Sequence, residues 1–211
     1  MKNIRKFLVV DDHTIIRSAL RSLLHHRHPG ASIVECATGK DVVEFSRATL
    51  FDLAILDLQM PGTEMLDLIL QLRVVEKRMP ILVYSMSAET VYGLHALKVG
   101  ARGFVSKEST MEELELAIET LLAGRFYINP NLAEAIVNHN AGKHANPFTG
   151  LSPRELQILR QMLSGTALNA IAVSLGLAQS TVGTHKARIF AKLGIGTVLS
   201  LKELSDVHHF Q

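Results

Sequence analysis

Short aliphatic runs alternate with longer stretches of helical periodicity along the first 124 residues. The runs at Phe7–Val10, Ser32–Cys36, Leu53–Leu56, Ile81–Tyr84 and Gly103–Val105 are short and rich in Val, Ile and Leu, the pattern of strands covered on both faces. Between the first two runs, Ile15, Ile16, Ala19, Leu20, Leu23 and Leu24 recur at helical spacing and predict a helix over Thr14–His25. Met111–Ala123 repeats that pattern as the fifth helix of the series. Five strands alternating with five helices predict an α/β fold, a five-stranded doubly wound parallel sheet with helices on both faces.

The regularity lapses after Gly124. Asn129-Pro130 reads as a break, a short helix is expected around Leu132–Val137, and Asn138–Gly150 is rich in Asn, His, Gly and Pro, as linkers are. From Leu151 onward no strand pattern returns. Ser152-Pro153-Arg154-Glu155 has the form of a helix start, with a serine cap, proline at the first helical position and glutamate at the third. Four helices are predicted near 153–164, 168–174, 179–193 and 198–206. The expected organisation is therefore a domain over 1–124, a linker with a short helix over 125–150, and a small all-α helix-turn-helix domain over 151–211.

Composition sharpens this picture. A hydrophobic content of 47% with 20% charged residues excludes a disordered chain and suits two cores. Cys36 is the single cysteine and sits inside a predicted strand, so it is expected to be a buried apolar residue of a protein from a reducing cytoplasm. The apolar stretch before Asp11 and Asp12 is too short for a secretory leader, and no run approaches membrane-spanning length. The net charge of +2 conceals an asymmetry: residues 1–124 hold 14 basic and 16 acidic residues, whereas 151–211 hold 6 and 3. The basic end has the sign that phosphate contacts need. His25, His26 and His28, at the end of the first helix, are expected to be solvated residues that favour its negative pole.

Functional groups in an open parallel sheet gather at the carboxyl ends of strands. There the chain places Asp11, Asp12, Asp57, Ser85 and Lys107. Three carboxylates on one rim repel one another unless neutralised, and a hard divalent cation such as Mg2+ would do this while organising phosphate oxygens. Lys107 supplies a fixed positive charge and Ser85 a hydroxyl, the groups needed to bind a phosphoryl oxygen on a neighbouring carboxylate.

The blocks Leu8-Val9-Val10-Asp11-Asp12, Ile55-Leu56-Asp57-Leu58-Gln59-Met60-Pro61, Tyr84-Ser85 and Gly103-Phe104-Val105-Ser106-Lys107 resemble, in order and spacing, the receiver domain of two-component systems, a flavodoxin-like fold. The resemblance covers residues 4–124. It implies Asp57 as phosphoacceptor, Asp11, Asp12 and Asp57 with the backbone carbonyl of Gln59 as Mg2+ ligands, Ser85 and Lys107 as phosphoryl-binding groups, and Phe104 as the aromatic switch residue. The chain departs from the family where Gly62-Thr63-Glu64-Met65 places Met65 at a position usually held by glycine.

Leu151-Ser152-Pro153-Arg154-Glu155, Ile171-Ala172, Leu175-Gly176-Leu177, Ser180-Thr181-Val182, His185 and Lys192-Leu193-Gly194 resemble the LuxR-type DNA-binding domain. Gly176 would turn the chain between two helices, and Ile171, Leu175, Leu177, Val182 and Ile189 would bind them into one core. The resemblance implies DNA contacts from the third helix, through Gln179, Ser180, Thr181, Gly183, Thr184, His185, Lys186, Ala187, Arg188 and Lys192. Family members commonly carry Lys or Arg where this chain has Ser180, Gly183 and Val198, so each monomer is expected to bind DNA weakly and to rely on dimerisation.

Together the two resemblances imply a response regulator of the LuxR/FixJ type. The expected function is a phosphorylation-controlled, DNA-binding transcriptional regulator that accepts a phosphoryl group and is not an enzyme in the usual sense. Its expected partners are a sensor histidine kinase, paired half-sites on double-stranded DNA, a second copy of itself, and RNA polymerase, with no membrane. The alternative is a receiver-gated protein-interaction regulator that has lost strong DNA affinity.

Overall fold

The computed structural model describes residues 4–60, 63, 65–87, 89–140, 146–208 and 210. Pro61, Gly62, Glu64, residues 141–145 of the expected linker, His209 and the side chain of Met65 lie outside what is described. The chain forms two compact units. One comprises Met1–Glu89 with Gly93–Leu132, the other Ala133–Gln211 with Thr90–Tyr92.

The first unit is a five-stranded parallel sheet in the order β2-β1-β3-β4-β5. The strands are β1 (Lys6–Val10), β2 (Ser32–Cys36), β3 (Leu53–Leu56), β4 (Ile81–Ser85) and β5 (Gly103–Ser106). The helices between and after them are α1 (Thr14–Arg27), α2 (Val42–Ala48), α3 (Met65–Val75), α4 (Leu94–Lys98) and α5 (Met111–Leu122). A π-helical turn over Glu89–Gly93 leads into α4. β1, β4 and β5 each extend one residue beyond the aliphatic run, because Lys6, Ser85 and Ser106 pair through backbone groups that need no apolar side chain. β1 and β3 lie inside the sheet, and all four residues of β3 are buried. Phe7, Val9, Leu53, Ile55, Leu82 and Val105 meet Leu20, Leu24, Leu114 and Ile118 from α1 and α5 in one core.

α1 runs two residues past His25. His28 is not a solvated residue: its ring lies 5.3 Å from that of Phe7, and Nε2 is 3.1 Å from Glu119 Oε1. The chain after α5 also stays with the first unit as far as Leu132, since Tyr127 bridges to Gly103 and its hydroxyl donates to Glu113 Oε1 at 3.0 Å. α6 spans Pro130–Asn140, longer than the helix expected over 132–137. Asn129-Pro130, expected as a break, is a helix start: Asn129 Oδ1 accepts from the Leu132 N–H at 2.9 Å, and proline occupies the first helical position without losing a bond.

The second unit continues with a short 3-10 turn (Pro147–Gly150) and α7 (Pro153–Leu163), α8 (Leu168–Ser174), α9 (Gln179–Leu193) and α10 (Val198–Val207). The predicted start of α7 is a complete capping box, with Ser152 Oγ accepting from the Glu155 N–H and the Glu155 carboxylate accepting from the Ser152 N–H. Ile171, Val182 and Ile189 are fully buried, while Leu175 and Leu177 are only partly so. No described helix is long and apolar enough to cross a membrane.

Cys36 is buried at the end of β2, and burial, reinforced by the charge of Asp41, pushes its thiol up to about 11. At pH 8 a free thiol of ordinary pKa has on the order of 100 times more thiolate. Iodoacetamide should therefore modify native Cys36 at least about 100-fold more slowly than the urea-unfolded chain. Equal rates, followed by mass spectrometry, would contradict this placement.

Candidate functional site

Parallel strands carry their carboxyl ends to one rim, and the backbone ladder continues one residue past the strands there. The Asp11 N–H donates to the Cys36 carbonyl at 3.1 Å, the Asp57 N–H to that of Val10 at 2.9 Å, and the Lys107 N–H to that of Ser85 at 3.0 Å. Asp11, Asp57 and Lys107 are thus fixed by the sheet, although each lies at the start of a loop.

Their side chains converge. Asp11 and Asp57 are 1% and 2% exposed, and the Lys107 ammonium bridges them, 2.6 Å from Asp11 Oδ2 and 2.8 Å from Asp57 Oδ2. Burial alone would pull the Lys107 pKa down. Hydrogen bonds to Asp11 and Asp57 and the charges of both carboxylates outweigh it and leave the pKa above the ordinary lysine value. The second oxygen of Asp57 accepts from the Gln59 N–H at 3.0 Å, and Asp11 Oδ1 accepts from the His13 N–H at 2.8 Å.

Asp12 completes the acidic group. Its Oδ1 is buried and accepts no hydrogen bond, although His13 Nδ1 lies 2.9 Å away. One ligand atom each from Asp11, Asp12, His13 and Asp57 lies within 4.8 Å of the others. A set dominated by carboxylate oxygens, one of them without a hydrogen bond, fits a hard divalent cation. His13 adds a nitrogen that the sequence analysis did not anticipate.

Ser85 is fully buried, and its hydroxyl donates to Ser87 Oγ at 3.3 Å. Gln59 Nε2 also donates to Ser87 Oγ, at 3.1 Å. A chain of polar groups therefore runs from the loop after Asp57 to the end of β4. Ser87 was not singled out from sequence; the available signal was a second serine two residues past Ser85, too common to stand out. Phe104 is wholly buried on β5.

The helical unit presents a second candidate surface. Gly176, at φ +62°, makes the left-handed turn between α8 and α9 that other residues adopt at a cost. Along α9, Gln179, Ser180, Thr184, Ala187, Arg188 and Lys192 are exposed, and Thr181, Gly183, His185 and Lys186 are half-buried. Lys186 Nζ sits 5.4 Å from the centre of the Phe190 ring. Lys192 is engaged within the unit, donating to Glu155 Oε2 at 2.7 Å and to the Gly150 carbonyl at 3.3 Å. Thr184 Oγ1 bonds back to the Ser180 carbonyl at 3.0 Å.

Comparison with known proteins gives matches to both units. Residues 7–119 match the family model of the response regulator receiver domain, and residues 149–202 that of bacterial regulatory proteins of the luxR family. A putative transcriptional regulator of Pseudomonas aeruginosa is 32% identical over 203 residues, covering 96% of this chain and 98% of that protein. The response regulator UvrY of Escherichia coli is 30% identical over 203 residues, covering 95% and 93%. Among solved structures, RcsB of Salmonella enterica serovar Typhimurium, bound to a promoter in the presence of phosphomimetic BeF3-, superposes with a TM-score of 0.77. It covers 96% of this chain and 98% of that one at 22% identity, a likeness of fold.

Gly183 lies inside α9, and a Cβ built there meets nothing within 4 Å. Gly183→Ala should therefore stabilise the protein by about 0.5–1 kcal/mol, since it relieves only the entropic cost of a helical glycine. A lower midpoint in urea unfolding for the variant would contradict this.

Proposed function

This chain belongs to the bacterial response regulators that join a receiver domain to a luxR-family domain, and we propose that Asp57 is its phosphoacceptor and that phosphorylation there controls DNA binding. The observation that carries the reading is the Lys107 ammonium held between the buried carboxylates of Asp57 and Asp11. Receiver function is assigned to residues 1–124, the joint to 125–150 and DNA contact to 151–211.

The donor is a phosphohistidine of a sensor kinase. An Asp57 carboxylate oxygen forms the new P–O bond as the P–N bond breaks, and the imidazole leaves with the electron pair and takes up a proton. Asp11, Asp12, Asp57 and the backbone carbonyl of Gln59 would hold Mg2+, which when bound neutralises the carboxylates and draws charge from the phosphoryl oxygens. Lys107 already lies against an Asp57 oxygen, so its charge is in reach of the transferring group without a large movement. The protein supplies this positioning but takes part as acceptor, not as an enzyme in the usual sense.

The acyl phosphate adds roughly −1.5 to −2 charges where one carboxylate stood. Lys107 and the Ser85 hydroxyl turn to its oxygens, and Phe104 moves with the space they vacate. These shifts bias a two-state equilibrium of the receiver surface by a few kcal/mol, enough to promote a homodimer. Two copies then set the amino-terminal ends of two α9 helices into successive major grooves of a paired half-site. Gln179, Ser180, Thr181, Gly183, Thr184 and His185 face the bases and Lys186 and Arg188 approach the backbone, while Lys192, held by Glu155, reaches a phosphate only by giving up that pair. The protein acts in the cytoplasm, with RNA polymerase as its downstream partner.

A second reading has a specific observation behind it. Lys192 is paired with Glu155, and Ser180 and Gly183 carry no charge, so α9 offers few free cations to phosphates. On that reading the receiver gates a protein contact instead.

Asp57→Ala should abolish dimerisation driven by acetyl phosphate, measured by light scattering; dimerisation that persists would sink the acceptor assignment. Duplex binding by the phosphorylated wild type should weaken steeply between about 50 and 200 mM salt. Binding to the transcription machinery that is insensitive to salt, with no duplex binding, would favour the second reading.

A further inference from the structure

The turn from β1 to α1 carries Asp11 and Asp12, and we infer that Arg17 is a positioning residue that holds this turn in metal-binding geometry. The inference rests on reading the acidic pocket as a metal-dependent phosphoacceptor.

The last paired residues of β1 are Val10 against Cys36 on one side and Val10 against Leu56 on the other. Past that point the Asp11 N–H still reaches the Cys36 carbonyl, but its own carbonyl lies beyond the ladder. Arg17 Nη1 donates to that carbonyl at 2.7 Å. The carbonyl of Asp11 and the N–H of Asp12 share one rigid peptide plane that carries both Cα atoms, so this bond restrains the segment from which both carboxylates project.

The guanidinium is itself fixed. Nη2 donates to Thr14 Oγ1 at 3.2 Å, and Nε lies 3.4 Å from Glu35 Oε2 on β2, with only 14% of the side chain exposed. Glu35 also balances the charge of Arg17, so the contribution to the pocket is one of geometry more than of field. Two hydrogen-bond acceptors and a carboxylate in different directions suit a planar fork of donors better than the single ammonium of a lysine. Arg21 provides an internal control: it pairs with the other oxygen of Glu35, Oε1, at 2.8 Å from the same helix.

The test is metal binding by the full-length protein, with Mn2+ followed by electron paramagnetic resonance and Mg2+ by competition. Partners that orient metal ligands from behind typically contribute 10- to 100-fold to affinity. Arg17→Ala should weaken Mg2+ binding at least about 10-fold, and Arg17→Lys nearly as much, while Arg21→Ala stays within about twofold. A merely structural or electrostatic role would move Arg21→Ala as far as Arg17→Ala, or let Arg17→Lys restore affinity, and either result overturns the inference. Should Arg17→Ala not fold, Arg17→Lys carries the comparison alone. A wild type that takes up no metal would overturn the pocket reading and this inference with it. Normal wild-type binding with unaffected Arg17 variants would overturn the inference alone.

Discussion

Two carboxylates removed from water at the same rim of a sheet need a counter-charge between them, and the Lys107 ammonium lies there. Its backbone N–H is held by the carbonyl of Ser85, so the ammonium is delivered by the β4–β5 pairing and not by a mobile loop. Asp11 and Asp57 are delivered likewise by β1 and β3. The pocket therefore inherits the stiffness of the central sheet. What remains adjustable is how the charges pair, and under the proposed function a phosphoryl group on Asp57 would compete for an ammonium already at that carboxylate.

The helical unit solves a similar problem for another purpose. The Glu155 side chain is almost fully buried, yet its carboxylate accepts from the Ser152 N–H at 2.6 Å and from Lys192 Nζ at 2.7 Å. Burial pushes the Glu155 pKa up, but the bonds from Lys192 and Ser152 outweigh it and hold the pKa below the usual value. This pair ties the start of α7 to the end of α9. Lys192 thus joins two helices of this unit, as Lys107 joins two buried carboxylates in the other. Using Lys192 in this way leaves α9 with less free positive charge.

Much of this was legible in the chain. The strands of the sheet show as aliphatic runs because both faces are covered, and the acidic residues fall just past them because parallel topology gathers those ends. The start of α7 was readable because a capping box is local. Groups joined across long separations were not: Lys192 and Glu155 carry no mark in the sequence of being partners, and Lys192 therefore looked like a free phosphate contact. Arg17 reaches back to a backbone carbonyl, and nothing in its neighbours distinguishes it from Arg21. Ser87 and His13 join the site through loop conformation, and His28 is drawn inward by Phe7 and Glu119 instead of remaining in solvent. Asn129-Pro130 was ambiguous for a simpler reason, since the same dipeptide can end one helix or begin the next.

Under the proposed function, the state of Asp57 decides whether the helical unit engages DNA. The most direct measurement is selection from pooled random duplex DNA by the purified full-length protein, with and without beryllium fluoride and magnesium, followed by sequencing of the retained fraction. An inverted repeat should be enriched only with the phosphoryl mimic. Equal enrichment in both conditions, or none with the mimic present, would contradict it.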